Sequence, residues 1–349
     1  MIHFQIDQHS NLRFSVDPRV AERIEVRRKR GLGLLSTLSA ETGSMRLPGP
    51  ASVLCDHPAA HGLLAYQDGI ILKDQAQALV EVLQNLTELQ VARLESGLLT
   101  VHQSQTYLPI VDTRGESILI DERADSSPDA LDSMTAEVAA IGGEAWSAFR
   151  AIVSTVSFVV VAGMPDLPYF SGSSNMIWGA MHMTNPASPV VLAESVTHEA
   201  AHFWLHAVEE VGEFAPDAWS DETWVSPWRD DPRPVGGIVH GVHVFSCAAV
   251  VMAGWLAHPS RLPARVSSEA VAQRIATLIA QVEEGLAELQ RNGTVTPIGR
   301  SIAEASKARL VVPIELVPTD IMAAARDAMM LRRREKLARW ATRGLAFRA

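Results

Sequence analysis

Glu194-Ser195-Val196-Thr197-His198-Glu199-Ala200-Ala201-His202-Phe203-Trp204-Leu205-His206 is the stretch that decides the reading of this chain. It contains H-E-x-x-H. On a helix, residues four apart share a face, so His198 and His202 stand one turn apart and present two imidazoles to one metal ion. Glu199 beside them is placed to act as a base on metal-bound water, to ligate, or to brace the helix. Ser188-Pro189 supplies a helix start with proline at the first helical position, and Gly212 supplies a stop. The spacing therefore predicts a helix over residues 189–211. His206 continues the series, but eight residues of helix separate it from His198 by ~12 Å. A regular helix cannot bring all three rings to one ion, so His206 reads as packing or support. The metzincin extension needs Gly at position 205 and His at 208; Leu205 and Val208 exclude it.

The rest of the chain sets the context. With 349 residues it is long enough for one large or two ordinary domains. A formal net charge of −10 argues against general nucleic-acid or anionic-membrane binding. Two cysteines, Cys55 and Cys247, exclude a disulfide scaffold and a cysteine-based zinc site. Together with a first segment that lacks signal-peptide character, they lead us to expect a cytoplasmic protein. Residues 235–257 are apolar and about long enough to span a membrane. They carry His240 and His243 and begin at Gly236-Gly237, so we expect a buried helix and no membrane partner.

Periodicity predicts further helices over residues 18–39, 74–94, 130–149, 268–291 and 319–343. Strands are expected over residues 98–107, 116–120, 152–161 and 176–183. A hairpin is expected over 62–72, turning at Asp68-Gly69. Ser171–Ser174 reads most plainly as a turn. The Arg27-Arg28-Lys29-Arg30 cluster and the Arg332-Arg333-Arg334/Lys336 cluster both read as solvated helix faces. A soft boundary at 126–129 separates an N-terminal α+β substructure, residues 1–128, a candidate for peptide recognition, from a metal-binding catalytic part, residues 129–349, and the two are expected to form one continuous compact unit. The expected class is α+β, predominantly helical. A zincin-like metal helix would pack with a small sheet and a helical C-terminal part.

A catalytic non-haem metal takes three protein ligands and keeps positions open. Candidates for the third are His240, His243 on the same apolar helix, and Glu222 in the loop after the motif helix. His240 is favoured.

Downstream stand Pro227-Trp228-Arg229-Asp230-Asp231-Pro232-Arg233-Pro234 and then Gly236-Gly237-Ile238-Val239-His240-Gly241-Val242-His243. With Ser173-Ser174, Gly179, an N-terminal Arg-rich helix and a helical tail, the chain resembles the HExxH-motif peptide-modification proteins. These are also described as 2-oxoglutarate-HExxH-type peptide β-hydroxylases. In that family position 240 is Gln or His and position 243 is often Tyr. The resemblance implies Fe(II) on His198, His202 and His240, with 2-oxoglutarate as cosubstrate. The implied reaction is hydroxylation of a β-carbon in a ribosomally synthesised precursor peptide. Arg229 and Arg233 would meet the far carboxylate of 2-oxoglutarate, since a guanidinium grips a carboxylate bidentately. The alternative is that they pair with Asp221, Asp230 or Asp231 and fix the loop. Trp228 would wall the pocket, and Ser173 would hydrogen-bond peptide or cosubstrate. Two other readings stand beside this one: a zinc peptidase with Glu199 as general base, and a non-catalytic peptide-binding module. Peptide identity and oligomeric state stay open.

Overall fold

The structure is a computed structural model. It describes residues 2–6, 12–16, 18–42, 60, 63–64, 67–68, 73–84, 99–101, 110–111, 117–118, 120–121, 136, 138, 152–153, 155–158, 160–161, 170–174, 177–184, 188–220, 223–264, 266–292 and 295–343. The chain forms two compact units, each discontinuous in sequence. The first is Met1–Val20, Glu137–Trp146 and Ser188–Ala349; the second is Ala21–Ala136 and Ser147–Ala187. The expected boundary at 126–129 and most of the expected helix over 130–149 lie outside the described residues.

The second unit carries the larger sheet. Strands β3 (Leu99–Val101), β7 (Thr155–Phe158), β10 (Ile177–Met183) and β9 (Ser171–Ser174) lie in the order β3-β7-β10-β9. β3 and β10 run parallel to β7, and β9 pairs antiparallel to β10. Short strands β4 (Ile110–Val111) and β5 (Ser117–Ile118) pair with one another, as do β6 (Ile120–Asp121) and β8 (Val160–Val161). Ser171–Ser174 is thus a strand and not a turn. Its register to β10 breaks between Ile177 and Met181, where Gly179 takes φ 87°.

Within the hairpin expected over 62–72, the described residues form helical turn instead. Ala60, Leu63, Leu64 and Gln67 are helical, and the Asp68 amide donates to the Leu64 carbonyl at 2.9 Å. Leu63 and Leu64 are both buried. Two neighbours on one face suit a helix, whereas a strand would turn one of them outward. Helix α1 (Pro18–Thr42), from Ala21 onward, and helix α2 (Lys73–Gln84) belong to this unit as well. The basic run on α1 is mostly exposed, although the Arg27 guanidinium lies 4.5 Å from the Trp178 ring and Arg30 pairs with Asp68 at 2.7 Å.

The first unit is a helical bundle with one hairpin. β1 (Ile2–Ile6) and β2 (Leu12–Val16) pair antiparallel, matching Ile2 with Val16, Phe4 with Phe14 and Ile6 with Leu12. The helices are α3 (Pro189–Glu209), α4 (Val235–Ala257), α5 (Ser268–Asn292), α6 (Pro297–Arg309), α7 (Val311–Leu316) and α8 (Thr319–Arg343). α4 is apolar on all sides, which makes it the axis of the bundle. It packs against α3, α5, α6 and α7, and 89% of its most apolar window is buried. α8 lies along α5. Helix α6, which periodicity did not predict, starts like α3. The Thr296 hydroxyl accepts from the Gly299 amide at 3.2 Å, and Pro297 follows.

The polar cluster on α8 is the largest departure from expectation. Lys336 is fully buried and donates to the carbonyls of Ser226 and, at 2.5 Å, Arg229. Arg333 meets Glu284 at 3.0 Å and Glu288 at 3.1 Å, and Glu288 is itself buried. Buried charge is tolerated only when paired, and here the pairing stitches α8 to α5 and to the loop before α4.

His182 on β10 offers a test of burial in the second unit. It is 7% exposed, its Nδ1 has no hydrogen-bond partner, and burial pushes its pKa from 6.5 down to about 4. Because the folded pKa lies below the unfolded one, the neutral ring's contribution is fully present above pH 6.5. It is lost as pH falls towards about 4. The urea midpoint of the full chain is expected to fall over that window more steeply in wild type than in His182→Asn. Parallel pH profiles would contradict the burial of this ring.

Candidate metal centre

Local sequence sets the order of the site residues along α3. Ser188 caps α3, accepting from the Val191 amide at 3.4 Å, and Pro189 opens its first turn. The i, i+4 spacing then sets His198, His202 and His206 in a row, and Glu209 continues it at i+3. The row meets the first turns of α4, where His240 is buried. The His240 ring is the hub of the cluster: its centroid lies 5.1 Å from those of His202 and His206, 5.3 Å from Trp219 and 5.6 Å from Phe214. The loop that carries Trp219 comes this close because α4 has Gly236 there. Its amide donates to the Ala218 carbonyl at 2.7 Å, and a Cβ would sit 2.6 Å from that oxygen.

The nitrogen contacts form a chain. His198 Nε2 and His202 Nε2 are 3.1 Å apart. His202 Nδ1 and His240 Nδ1 are 2.9 Å apart. His240 Nε2 faces Glu209 Oε1 at 3.7 Å, and His206 Nδ1 meets Glu209 Oε2 at 2.8 Å. Trp219 Nε1 donates to Glu209 Oε1 at 3.1 Å. His198 Nδ1 and His240 Nε2 are buried without a hydrogen-bond partner. His240 thus addresses His202 through the Nδ1 atoms, not the point on which the two Nε2 atoms converge.

Charge follows burial. Burial lowers the His198 pKa to about 3, with Arg274 and His240 adding to the shift. Burial holds His202 well below its usual value, with smaller contributions from the surrounding imidazoles. His240 is also lowered by burial, against the opposing attraction of the nearby Glu209 carboxylate. Burial alone would raise the Glu209 carboxyl, but its hydrogen bond with His206 and the nearness of the His240 ring outweigh this and bring it to about 2. The result is neutral His198, His202 and His240 rings and an ionised Glu209 carboxylate, the protonation states that metal ligation needs. The donor set therefore fits a divalent first-row ion, which accepts imidazole nitrogen and carboxylate oxygen.

The other expected site residues fall in different settings. Glu199 is 2% exposed on the packed side of α3. His243 is taken up elsewhere: its Nδ1 lies 3.3 Å from Arg309 Nη1, and its Nε2 lies 3.9 Å from Cys247 Sγ. Arg233 pairs with Asp231 at 3.0 Å and is buried, while Arg229, with a side chain 59% exposed, reaches the same carboxylate at 3.8 Å. Ser173 lies on β9 in the second unit. Glu222 lies outside the described residues. Trp228 stacks on Phe245 at 5.3 Å with 11° between the planes, and Phe245 in turn meets the His198 ring edge-on at 4.6 Å. Trp228 therefore backs His198 through Phe245.

Four residues of this region escaped the sequence reading. Glu209 and Trp219 complete the His240 cluster. Arg274 grips Glu194, one turn before His198, through two hydrogen bonds. Lys336 fixes the loop. Only Glu209 had a readable signal, the His206-x-x-Glu209 spacing on the same helical row. A cavity of about 470 Å³ opens beside the cluster, lined by Glu209, Phe214, Ala215, Asp217, Trp219 and Ser220 among others.

No protein-family model matches the chain, and no curated protein does either.

Trp228 fits between α4 and α5 because both helices carry glycine opposite it. A Cβ on Gly241 would lie 2.4 Å from the indole, and one on Gly285 2.6 Å from it. Gly241→Ala is expected to lower unfolding free energy by about 1–3 kcal/mol through overpacking. In a Trp228→Ala background the same change should cost far less, a coupling readable in a double-mutant cycle by urea unfolding. Equal costs in both backgrounds would show that the indole does not occupy this slot.

Proposed function

We propose that the chain is an Fe(II)- and 2-oxoglutarate-dependent peptide hydroxylase, with α3 as a zincin-like metal helix. Its substrate would be a β-carbon of a ribosomally synthesised precursor peptide. The observation that carries the metal part is the 3.1 Å separation of His198 Nε2 and His202 Nε2. Two nitrogens held at ~2.1 Å from one ion, at the angles of octahedral or tetrahedral sites, stand ~3.0–3.4 Å apart. The oxidative part is supported by the sequence resemblance, above all by the 227–234 block. Iron held by these residues would supply the oxidising chemistry and bind the keto acid end of 2-oxoglutarate.

The protein's own contribution is orientation and exclusion of water. His240 Nδ1, accepting from His202 Nδ1–H, fixes the tautomer that leaves His202 Nε2 bare for a metal. His240 serves here as a positioning residue, which leaves the third ligand position to the remaining candidates, His243 and Glu222. Phe245 and Trp228 seal one side of His198. Arg229, exposed and held only at 3.8 Å by Asp231, is the guanidinium we assign to the far carboxylate. Arg233, in its shorter pair with Asp231, keeps the loop in shape. The zinc-peptidase alternative needs Glu199 in contact with both attacking water and peptide, and its burial speaks against that role.

The test is co-expression with candidate precursor peptides followed by mass spectrometry, and anaerobic loading with Fe(II) and 2-oxoglutarate before dioxygen is admitted, which supplies the added oxygen atom and leaves carbon dioxide and succinate as coproducts. The expected outcome is a peptide heavier by one oxygen atom, with succinate formed in equal amount. His198→Ala and His202→Ala should abolish both, and His240→Ala should lower turnover about 10–100-fold, as for partners that orient a ligand. Two peptide fragments formed with zinc, and no gain of oxygen with iron, would overturn the assignment.

A further inference from the structure

The geometry points to a second divalent-cation site, formed by His206 Nδ1, the Glu209 carboxylate and His240 Nε2, whose occupation excludes a metal on the His198–His202 pair. The three donor atoms lie within 4.8 Å of one another. Their side chains come from two helices that pack directly together. Two imidazoles and a carboxylate on one side of an ion, with the other positions open, is a donor set that suits Fe(II), Mn(II), Co(II) and Zn(II). Independent support comes from His240 Nε2, which is buried, has no hydrogen-bond partner, and is aimed at Glu209 from 3.7 Å. Glu209 also lines the 470 Å³ cavity, so the open positions have room for water or a small anionic ligand.

The exclusion follows from counting protons. A ring nitrogen that carries hydrogen cannot bind a metal, and a neutral imidazole carries one hydrogen. His202 Nδ1 and His240 Nδ1, 2.9 Å apart, share one: either donates to the other. If His202 Nε2 holds a metal, its hydrogen is on Nδ1, His240 Nδ1 accepts, and His240 Nε2 carries the hydrogen that closes it. If His240 Nε2 holds a metal, the chain reverses. His202 Nδ1 accepts, and His202 Nε2 keeps a hydrogen, which it gives to His198 Nε2. Two metals at once would set two N–H groups against each other. The exclusion, though not the site itself, rests on the metal role proposed for His198 and His202.

The test loads metal-free full-length protein with Co(II) alone. Readouts are bound cobalt per chain and visible absorption, with circular dichroism and urea midpoints as folding controls. Wild type, His198→Ala and Glu209→Gln are each expected to hold one ion, with different spectra for the two variants, and the double variant none. His206→Ala should reproduce Glu209→Gln. If folded His198→Ala binds nothing, the second site is wrong while the motif site survives. If folded Glu209→Gln binds nothing while His198→Ala keeps its ion, the motif site is wrong and the second site survives. Two ions in wild type would overturn the exclusion.

Discussion

The contact between His202 and His240 is the constraint on which the centre depends. Two neutral rings from adjacent helices meet through like nitrogens, and one hydrogen serves both. That hydrogen fixes which ring atoms are bare, and through them which faces of α3 and α4 are able to hold a cation. Glu209 sets the favoured direction in the absence of metal. As a carboxylate it attracts His240 Nε2–H, which leaves His240 Nδ1 to accept from His202 and His202 Nε2 to accept from His198. The arrangement is expensive in desolvation, since buried polar atoms without partners cost about 1–3 kcal/mol each. The apolar burial of α4 within the bundle offsets it.

The surroundings of the centre are held from far along the chain. The loop before α4 carries Trp228, Arg229 and Arg233, and its shape is imposed by α8, more than a hundred residues later. Lys336 binds two of its carbonyls, and the Trp340 indole donates to the Asp230 carbonyl at 2.8 Å. Glu288 on α5 accepts the Val225 amide at 3.2 Å and is neutralised by Arg291 and Arg333. Trp228, so fixed, presses on Phe245 and thence on His198. Helix α8 thereby bears on the packing around one candidate ligand.

Local rules carried the sequence reading where they act alone. Ser188-Pro189 and the i, i+4 histidines located α3 within two residues of its observed end, and the uniform apolarity of residues 235–257 marked the bundle axis. The reading failed where distant partners decide. Arg333 and Lys336 look like a solvated basic face until Glu284, Glu288 and the 226–229 carbonyls are brought to them. Leu63 and Leu64 looked like strand because Asp68-Gly69 is a strong turn signal, yet their joint burial requires a helical turn. Within the centre, the histidines were legible as a set, but which nitrogen faces which partner depends on the α3–α4 packing. The place of Glu209 in the cluster also depended on His240 arriving from the other helix.

X-ray absorption at the metal edge of the protein loaded with one equivalent of Fe(II) or Co(II) probes the central claim directly, that the histidines between α3 and α4 hold a metal. The account predicts a first shell of nitrogen and oxygen at about 2.1 Å, with the outer-shell scattering of at least two imidazoles. Loss of that imidazole pattern is expected when His198 and His240 are both replaced by alanine. A first shell of oxygen alone, or an imidazole pattern unchanged in that double variant, would contradict it.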